Sequence, residues 1–465
     1  MKRKIQLKRT TTFLLYLLSV LPISAQSVHS VYYMEAAPAR IKLNPALYPT
    51  NSFFSIPVVG SVNASVTSNT FGTNDIFDLF QNNDEFYMKD RFRNNLKERN
   101  KVNASVNTDI ISFGWHRGKG FWSVNAGIRT DINANIDRSL FDYLYDIEKS
   151  HHYWTGQTYD MKDAQAHINL YTEIGIGYAR QINRKWTLGA RLKLLLGMGN
   201  ANLKINNIHV EGYLPTDGTI DPTKYKDYYA KIVTDATLES SLKGLKLEYS
   251  NTDDGEDNYH KYISDIKAGS FGIGGYGTAL DFGLTFRPIS KIMLSASVLD
   301  LGFINWNKGC TKTAVSQSTR TYDYTNYQDF ESITSGKDVV NYKMLDLRNE
   351  DASKSRYTSL ASTIVVGAEC AFIKQFSLGI LYTNRNTQPN NISEMTFSAN
   401  FRPNNWFNFT GSYSMIQSLG NSFGVGLKIG PLFLGTDYMF LGNNSKCANA
   451  QVGISIPIGK SKNKI

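Results

Sequence analysis

From Phe121 to Ile136 apolar and polar residues alternate without a break. Trp122, Val124, Ala126, Ile128, Thr130, Ile132, Ala134 and Ile136 form one face; Ser123, Asn125, Gly127, Arg129, Asp131, Asn133 and Asn135 form the other. Successive side chains of a strand point to opposite sides, so period two over this length describes an extended strand with one apolar and one polar surface. Strands of soluble sheets run to ~5–6 residues. At ~3.3 Å per residue this one is long enough to cross a bilayer with tilt. The pattern recurs at Ile168–Tyr178, Trp186–Leu196, Tyr276–Phe286 and Phe423–Ile429. With 42% hydrophobic and 19% charged residues the chain is too apolar for disorder, and after the N-terminus no apolar run is long enough for a spanning helix.

Connections alternate between short and long. The short ones are His116–Gly120, Ile182–Lys185, Arg287–Lys291, Phe372–Gln375, Arg402–Asn405 and Gly430–Pro431; the long ones lie near 70–100, 137–165, 201–275 and 304–357. Outer-membrane barrels join their strands in this way, with short periplasmic turns and long outer loops. The expected fold is therefore all-β: a transmembrane antiparallel barrel of about 14 strands, within a range of 12–16, occupying residues 53–465. A hairpin inside 201–275 would raise the count to about sixteen. The interruption by Pro57 and Gly60 makes the first strand, 53–68, the least regular. Asp75–Glu98 and Arg138–Lys149 carry apolar residues at helical spacing and are expected as short helices in the outer loops.

The N-terminus reads as an export signal. Residues 1–9 are basic, Phe13–Ile23 is apolar, and small residues precede a cleavage point between Ala25 and Gln26. Half of the formal charge of +10 comes from five basic residues in this leader, and no Lys/Arg run follows it, which removes the case for nucleic-acid binding. Three cysteines, Cys310, Cys370 and Cys447, are too few and too scattered for a disulfide framework or a zinc site. Strand parity puts Cys310 and Cys447 on the outer side, where an oxidising compartment favours a Cys310–Cys447 disulfide, with two free thiols as the alternative.

The polar face carries Arg129, Arg191, Lys193, Arg287, Arg402 and Lys428 against Asp131, Glu173, Asp281, Glu369, Glu394 and Asp437. A selective pore would show a ring of one sign; a balanced set reads as lumen ion pairs that hold a plug or close a narrow interior. Inward glycines, Gly189, Gly283 and Gly379 among them, give room for another backbone or for barrel curvature. On this register Leu194 and Ile176 face lipid and Lys193 the lumen, so Lys193→Leu should be milder than Leu194→Arg. None of the metalloprotease, serine-hydrolase or calcium-loop patterns occurs, so neither an enzyme nor a cofactor is expected.

After the leader the chain reads Tyr32-Tyr33-Met34-Glu35 and then Leu43-Asn44-Pro45-Ala46-Leu47-Tyr48-Pro49. This resembles the start of an uncharacterised Bacteroidota family of outer-membrane barrels, similar in turn to the FadL/PorV superfamily. The resemblance implies a plug segment, residues 26–52, in which Asn44, Pro45 and Ala46 precede the first strand of a fourteen-stranded barrel. It implies integral residence in the outer membrane as a monomer among outer-membrane lipid. It also implies passage of hydrophobic small molecules, or an accessory role beside an export-machinery protein; the alternative is a structural or adhesive surface barrel without transport.

Overall fold

The computed structural model describes residues 29–56, 61–72, 74–75, 86–149, 156–213, 229–244, 246–252, 260–267, 272–323, 345–350, 354–416, 420–438 and 445–459. Its strands, in chain order, are β1 (Ser52–Ser55), β2 (Ser61–Ser68), β3 (Arg99–Arg117), β4 (Gly120–Asp137), β5 (Thr158–Gln181), β6 (Trp186–Tyr213), β7 (Tyr229–Leu242), β8 (Lys246–Thr252), β9 (His260–Lys267), β10 (Gly275–Ile289), β11 (Ile292–Trp306), β12 (Thr311–Asp323), β13 (Arg348–Glu350), β14 (Arg356–Ser359), β15 (Ser362–Ile373), β16 (Phe376–Asn386), β17 (Asn391–Phe401), β18 (Phe407–Ile416), β19 (Gly420–Ile429), β20 (Leu432–Thr436) and β21 (Cys447–Ile458).

The wall is a closed antiparallel barrel of 14 strands. Each wall strand pairs with the next one in sequence, from β1 and β2 through β3, β4, β5, β6, β10, β11, β14 with β15, and β16 to β21. β21 closes on both β1 and β2. Closure leaves no wall edge with unpaired backbone groups, which is the condition for crossing hydrocarbon. Outward rows are exposed and apolar, as with Ile174, Ile176, Leu188, Leu192, Leu194, Phe282 and Phe397; inward rows are buried and mostly polar, with apolar patches such as Met293, Val365 and Leu381. The tightest turns use glycine where the backbone turns left-handed, at Gly118 (φ 60) between β3 and β4 and Gly430 (φ 57) between β19 and β20.

Three bulges re-aim the wall strands. They fall between Asp109 and Ile111 of β3, between Leu170 and Tyr171 of β5, and opposite Leu280–Phe282 of β10, where β11 carries Asp300 at φ 58. A bulge sets two residues against one and shifts the alternation, which is how Asp300 comes to face inward.

The structure corrects several expected boundaries. The insert 201–275 adds no hairpin to the wall. β6 instead continues to Tyr213 and rises out of the barrel, with β7 paired to its upper half and β12 paired to β7. β8 and β9 form a separate two-stranded sheet. Tyr143, Tyr159, Met161, Val210, Ile232, Ala314 and Leu347 make a core for this outer sheet, so the described parts of the long connections form a folded extension. The helix Arg138–Lys149 forms as expected. Of Asp75–Glu98, the described part contains only the turns Phe86–Met88 and Asp90–Arg93, packed with Phe71 and Phe141. The first wall position is split into β1 and β2: Ser55 faces Ser112 and Ser61 faces Asp109 of β3. β20 ends at Thr436, earlier than its pattern suggests, because the Asn449 side chain takes the backbone N–H groups of Asp437 and Tyr438 and turns them inward.

Candidate functional site

Residues His29–Thr50 lie inside the barrel near its short-turn end, in two short 3-10 turns, His29–Val31 and Pro38–Lys42. Val31, Tyr32, Met34 and Leu47 pack against Met293, Leu299, Val365, Leu381 and Phe433 of the wall. Tyr33 donates its hydroxyl to the carbonyls of Ala368 (3.0 Å) and Ile380 (2.5 Å). Asn44 is fully buried; its amide donates to the Ala296 (3.1 Å) and Leu284 (3.3 Å) carbonyls, and its Oδ1 accepts the Ala46 N–H (2.9 Å). The wall comes close here because it is glycine. A Cβ on Gly189 would collide with the Pro45–Ala46 backbone, and one on Gly283 with the Asn44 side chain. Ala25 and Gln26 lie outside the described residues.

Above this segment a continuous ionic layer follows the wall. Lys42 meets Asp109 (2.6 Å); Arg129 joins Asp109 (3.0 Å) to Glu173 (3.3 Å); Arg191 joins Glu173 (3.1 Å) to Asp281 (3.1 Å); Lys193 joins Asp281 (2.8 Å) to Asp300 (2.6 Å). The layer ties the inner segment to β3, β4, β5, β6, β10 and β11. Strand register makes room for it: Glu173 faces Gly127, Arg191 faces Gly177 and Lys193 faces Gly175 on the neighbouring strand. Desolvating these charges is costly, and each member between Lys42 and Asp300 has a partner on both sides; deleting one member of such a pair typically costs ~3–5 kcal/mol. Asp300 adopts the left-handed backbone that disfavours non-glycine residues, donates its N–H to Asp281 (2.8 Å) and aims its carboxylate at Lys193.

The remaining charged positions of the inward face do different work. Asp131 reaches Arg385 at 2.5 Å across the lumen, from β4 to β16. Asn390, just before β17, adds a second crossing to Asn103 of β3 (2.9 Å). Glu369 pairs with Arg402 (2.8 Å), which also donates to the Tyr33 carbonyl (2.6 Å). Arg287 lies 3.5 Å from Glu35. Lys428 makes no carboxylate pair among the described residues; it donates to the carbonyls of Asn405 (3.1 Å) and Gly430 (2.6 Å) and braces two turns. Glu394 and Asp437 grip the start of the inner segment. His29 Nδ1 lies 3.0 Å from Glu394, while Asp437 accepts the backbone N–H groups of His29 and Ser30. Burial alone would lower the His29 pKa; the Glu394 charge and hydrogen bond, then Asp437, more than reverse this and raise it from 6.5 to about 9. Arg40 is buried, with its Nε and Nη1 lacking hydrogen-bond partners among the described residues, and desolvation lowers its pKa from 12.5 to about 10 against the pull of Glu35 and Glu369.

Between the inner segment and the split first strand lies a narrow open crevice of about 40 Å³. Ala39, Ile41, Phe53, Val124 and Phe433 line it with Ser55, Ser112, Ser123 and Ser455, and Lys42, Asp109, Arg191 and Lys428 close its polar side. The expected Cys310–Cys447 disulfide is absent: all three cysteines are free. Cys310 follows β11 beside Gly274, whereas Cys447 opens β21 and is buried with Ile392, Ile416 and Tyr438. Parity puts both at the same end of the barrel, but the two sit against different neighbours. Sequence reasoning missed His29, Lys42, Asp109, Asp300 and Arg385. Asp109 was within reach, because it continues the inward row Asn103, Ser105, Asn107 up to the bulge.

Among solved structures of similar shape, the toluene transporter TbuX of Ralstonia pickettii is 11% identical over 91% of this chain and 95% of its own, with TM-score 0.43. The Pseudomonas putida toluene transporter TodX is 11% identical over 91% and 95%, with TM-score 0.38. A Pseudomonas aeruginosa FadL homologue is 9% identical over 93% and 98%, with TM-score 0.39. No curated protein matches the sequence. The model of a family of unknown function (DUF5723) matches residues 45–437, from the inner segment to the turn after β20, and the chain belongs to that family.

Proposed function

We propose that this barrel resides in an outer membrane and passes small hydrophobic molecules along the gap between its inner segment and its wall. The observation that carries this reading is the narrow, partly apolar crevice between the inner segment and the split first strand, about 40 Å³ in the closed state seen here. Ligand sites combine apolar surface with a few placed polar groups, and this crevice sets Ala39, Ile41, Phe53 and Phe433 beside serine hydroxyls, with Lys42, Asp109, Arg191 and Lys428 at its polar margin. The axial route is roomier but more polar, lined by Arg129, Asp131, Glu173, Lys193, Asp300 and Arg385. An apolar solute there would displace hydration and partners from the ionic layer, at the high cost of stranding buried charge.

Uptake of the fluorescent apolar probe N-phenyl-1-naphthylamine into proteoliposomes tests this. Uptake should exceed that of empty vesicles, and Ser123→Trp, which fills the cavity, should return it to the empty-vesicle rate while the barrel still folds. Equal uptake with and without the protein would overturn the proposal. That outcome would favour a surface barrel without transport, a reading supported by the Asp131–Arg385 and Asn103–Asn390 contacts that cross the lumen.

A further inference from the structure

The two ends of the barrel differ in charge. At the long-connection end both signs mix and pair, as in Arg91–Asp75, Arg93–Asp142, Arg99–Asp137 and Arg356–Glu239. At the other end the turns carry no acidic residue. Arg117 and Lys119 belong to the β3–β4 turn; Arg180, Arg184 and Lys185 flank the β5–β6 turn; Lys291 follows the β10–β11 turn and Lys374 lies in the β15–β16 turn. All seven are exposed, and among the described residues none makes a carboxylate pair. The two nearby carboxylates, Glu35 and Glu369, are already matched to Arg287 and Arg402. These turns are far apart in sequence, and barrel closure brings them into one collar.

A belt of aromatic side chains stands beside the collar on the outward face. Trp115 stacks on Trp122, Trp122 leans on Tyr178 at 4.6 Å, and Trp186 stacks on Phe286 at 4.3 Å; Trp406 and Phe372 are exposed further round. Tryptophan and tyrosine settle at headgroup depth, with one part in hydrocarbon and a polar edge outside. Cations at that depth meet lipid phosphates before they meet a soluble partner, and long Lys and Arg side chains extend to reach them.

We propose that the short-turn rim is a collar that selects anionic phospholipid headgroups in the leaflet it faces. The inference goes beyond transport and rests only on the barrel lying in a bilayer. Rim cations attract a net-negative headgroup more strongly than a zwitterionic one, and the attraction weakens as salt screens it.

Trp115, Trp122, Trp186 and Trp406 report this rim. The protein is reconstituted into phosphatidylcholine vesicles that contain an equal mole fraction of either brominated phosphatidylglycerol or brominated phosphatidylcholine. Quenching by the brominated phosphatidylglycerol should be stronger, corresponding to at least about twofold local enrichment, and should fall towards the phosphatidylcholine value in molar salt. Arg184→Gln/Lys185→Gln/Lys374→Gln should lose the preference, whereas Lys204→Gln/Lys312→Gln at the other end should keep it. Equal quenching by the two lipids in the native protein would overturn the proposal, as would a preference that survives the rim variant or disappears with the distal one. Absence of quenching by either lipid would instead remove the membrane placement itself.

Discussion

On β6, Arg191 and Lys193 point inward and are buried in ion pairs, while Leu192 and Leu194 point outward at 58% and 47% exposure. The two faces of one strand obey different rules. The outer face needs only to match a solvent, and any apolar side chain of fitting size does so. The inner face depends on partners, because each charge there is tolerable only while its counter-charge stays in place. Alternation along a strand is enough to specify the first. The second exists only once six neighbouring strands, β3 to β6 with β10 and β11, stand side by side.

Substitutions at adjacent positions sharpen this contrast. Lys193→Leu should be the most damaging, costing ~3–5 kcal/mol, because it strands Asp300 and leaves Asp281 to Arg191 alone. This reverses the sequence-based expectation that Lys193 tolerates leucine better than its neighbour tolerates arginine. Denaturant titration of folding into vesicles measures both. Leu194→Arg should come next at ~2–4 kcal/mol, through a charge placed in mid-bilayer. A milder result for Lys193→Leu than for Leu194→Arg would mean that the inner layer is hydrated enough to dispense with one member.

A smaller effect is expected where the network is neutralised together. Lys193→Leu/Asp281→Asn/Asp300→Asn should regain part of the loss, with a coupling of ~0.5–3 kcal/mol relative to the single changes. Additive damage would show that the three groups act independently. Next in size is the pH response of the inner segment. The folded pKa of His29, about 9, lies above its ordinary 6.5, so the histidine's contribution is fully present below pH 6.5 and is lost as pH rises through about 9. Proteolytic release of the N-terminal segment should increase over that window by a factor corresponding to ~1–3 kcal/mol, and His29→Gln should flatten the profile. The smallest effect concerns the thiols. Peptide mapping without reduction should find Cys310 and Cys447 both alkylated, with stability unchanged by reductant; a linked pair would break the placement of Cys447 in its buried cluster.

The wall was largely legible because its signal is local. Each of the fourteen expected strands corresponds to a wall position, and the apolar rows through Ile176, Leu194 and Phe282 face outward. Legibility failed wherever a residue departs from strict alternation. The Asp300 bulge turns a residue of β11 inward that period two would place on the lipid side. The end of β20 takes Asp437, already expected on the inward face, out of the strand, and there it holds the start of the inner segment. β6 and β7 were hidden for a different reason. Above the bilayer a strand no longer needs a continuous apolar face, so the cue that marks the wall fades at Gly199 although pairing continues to Tyr213.

Sequence by itself determined the membrane-facing surface, the short turns and the even strand count, because solvent matching and turn chemistry act on neighbours along the chain. Tertiary structure alone decided which charges meet. Lys42 finds Asp109, Asp131 finds Arg385 and His29 finds Glu394 across separations of tens to hundreds of residues, and no periodicity encodes those distances. It also decided that seven separate turn cations form one rim and that Cys310 and Cys447 stay apart. The physical reason is the same in each case: a Coulomb contact, a thiol pairing or a charged ring depends on separation in space, and in a closed barrel that separation is set by strand register and circumference rather than by position in the chain.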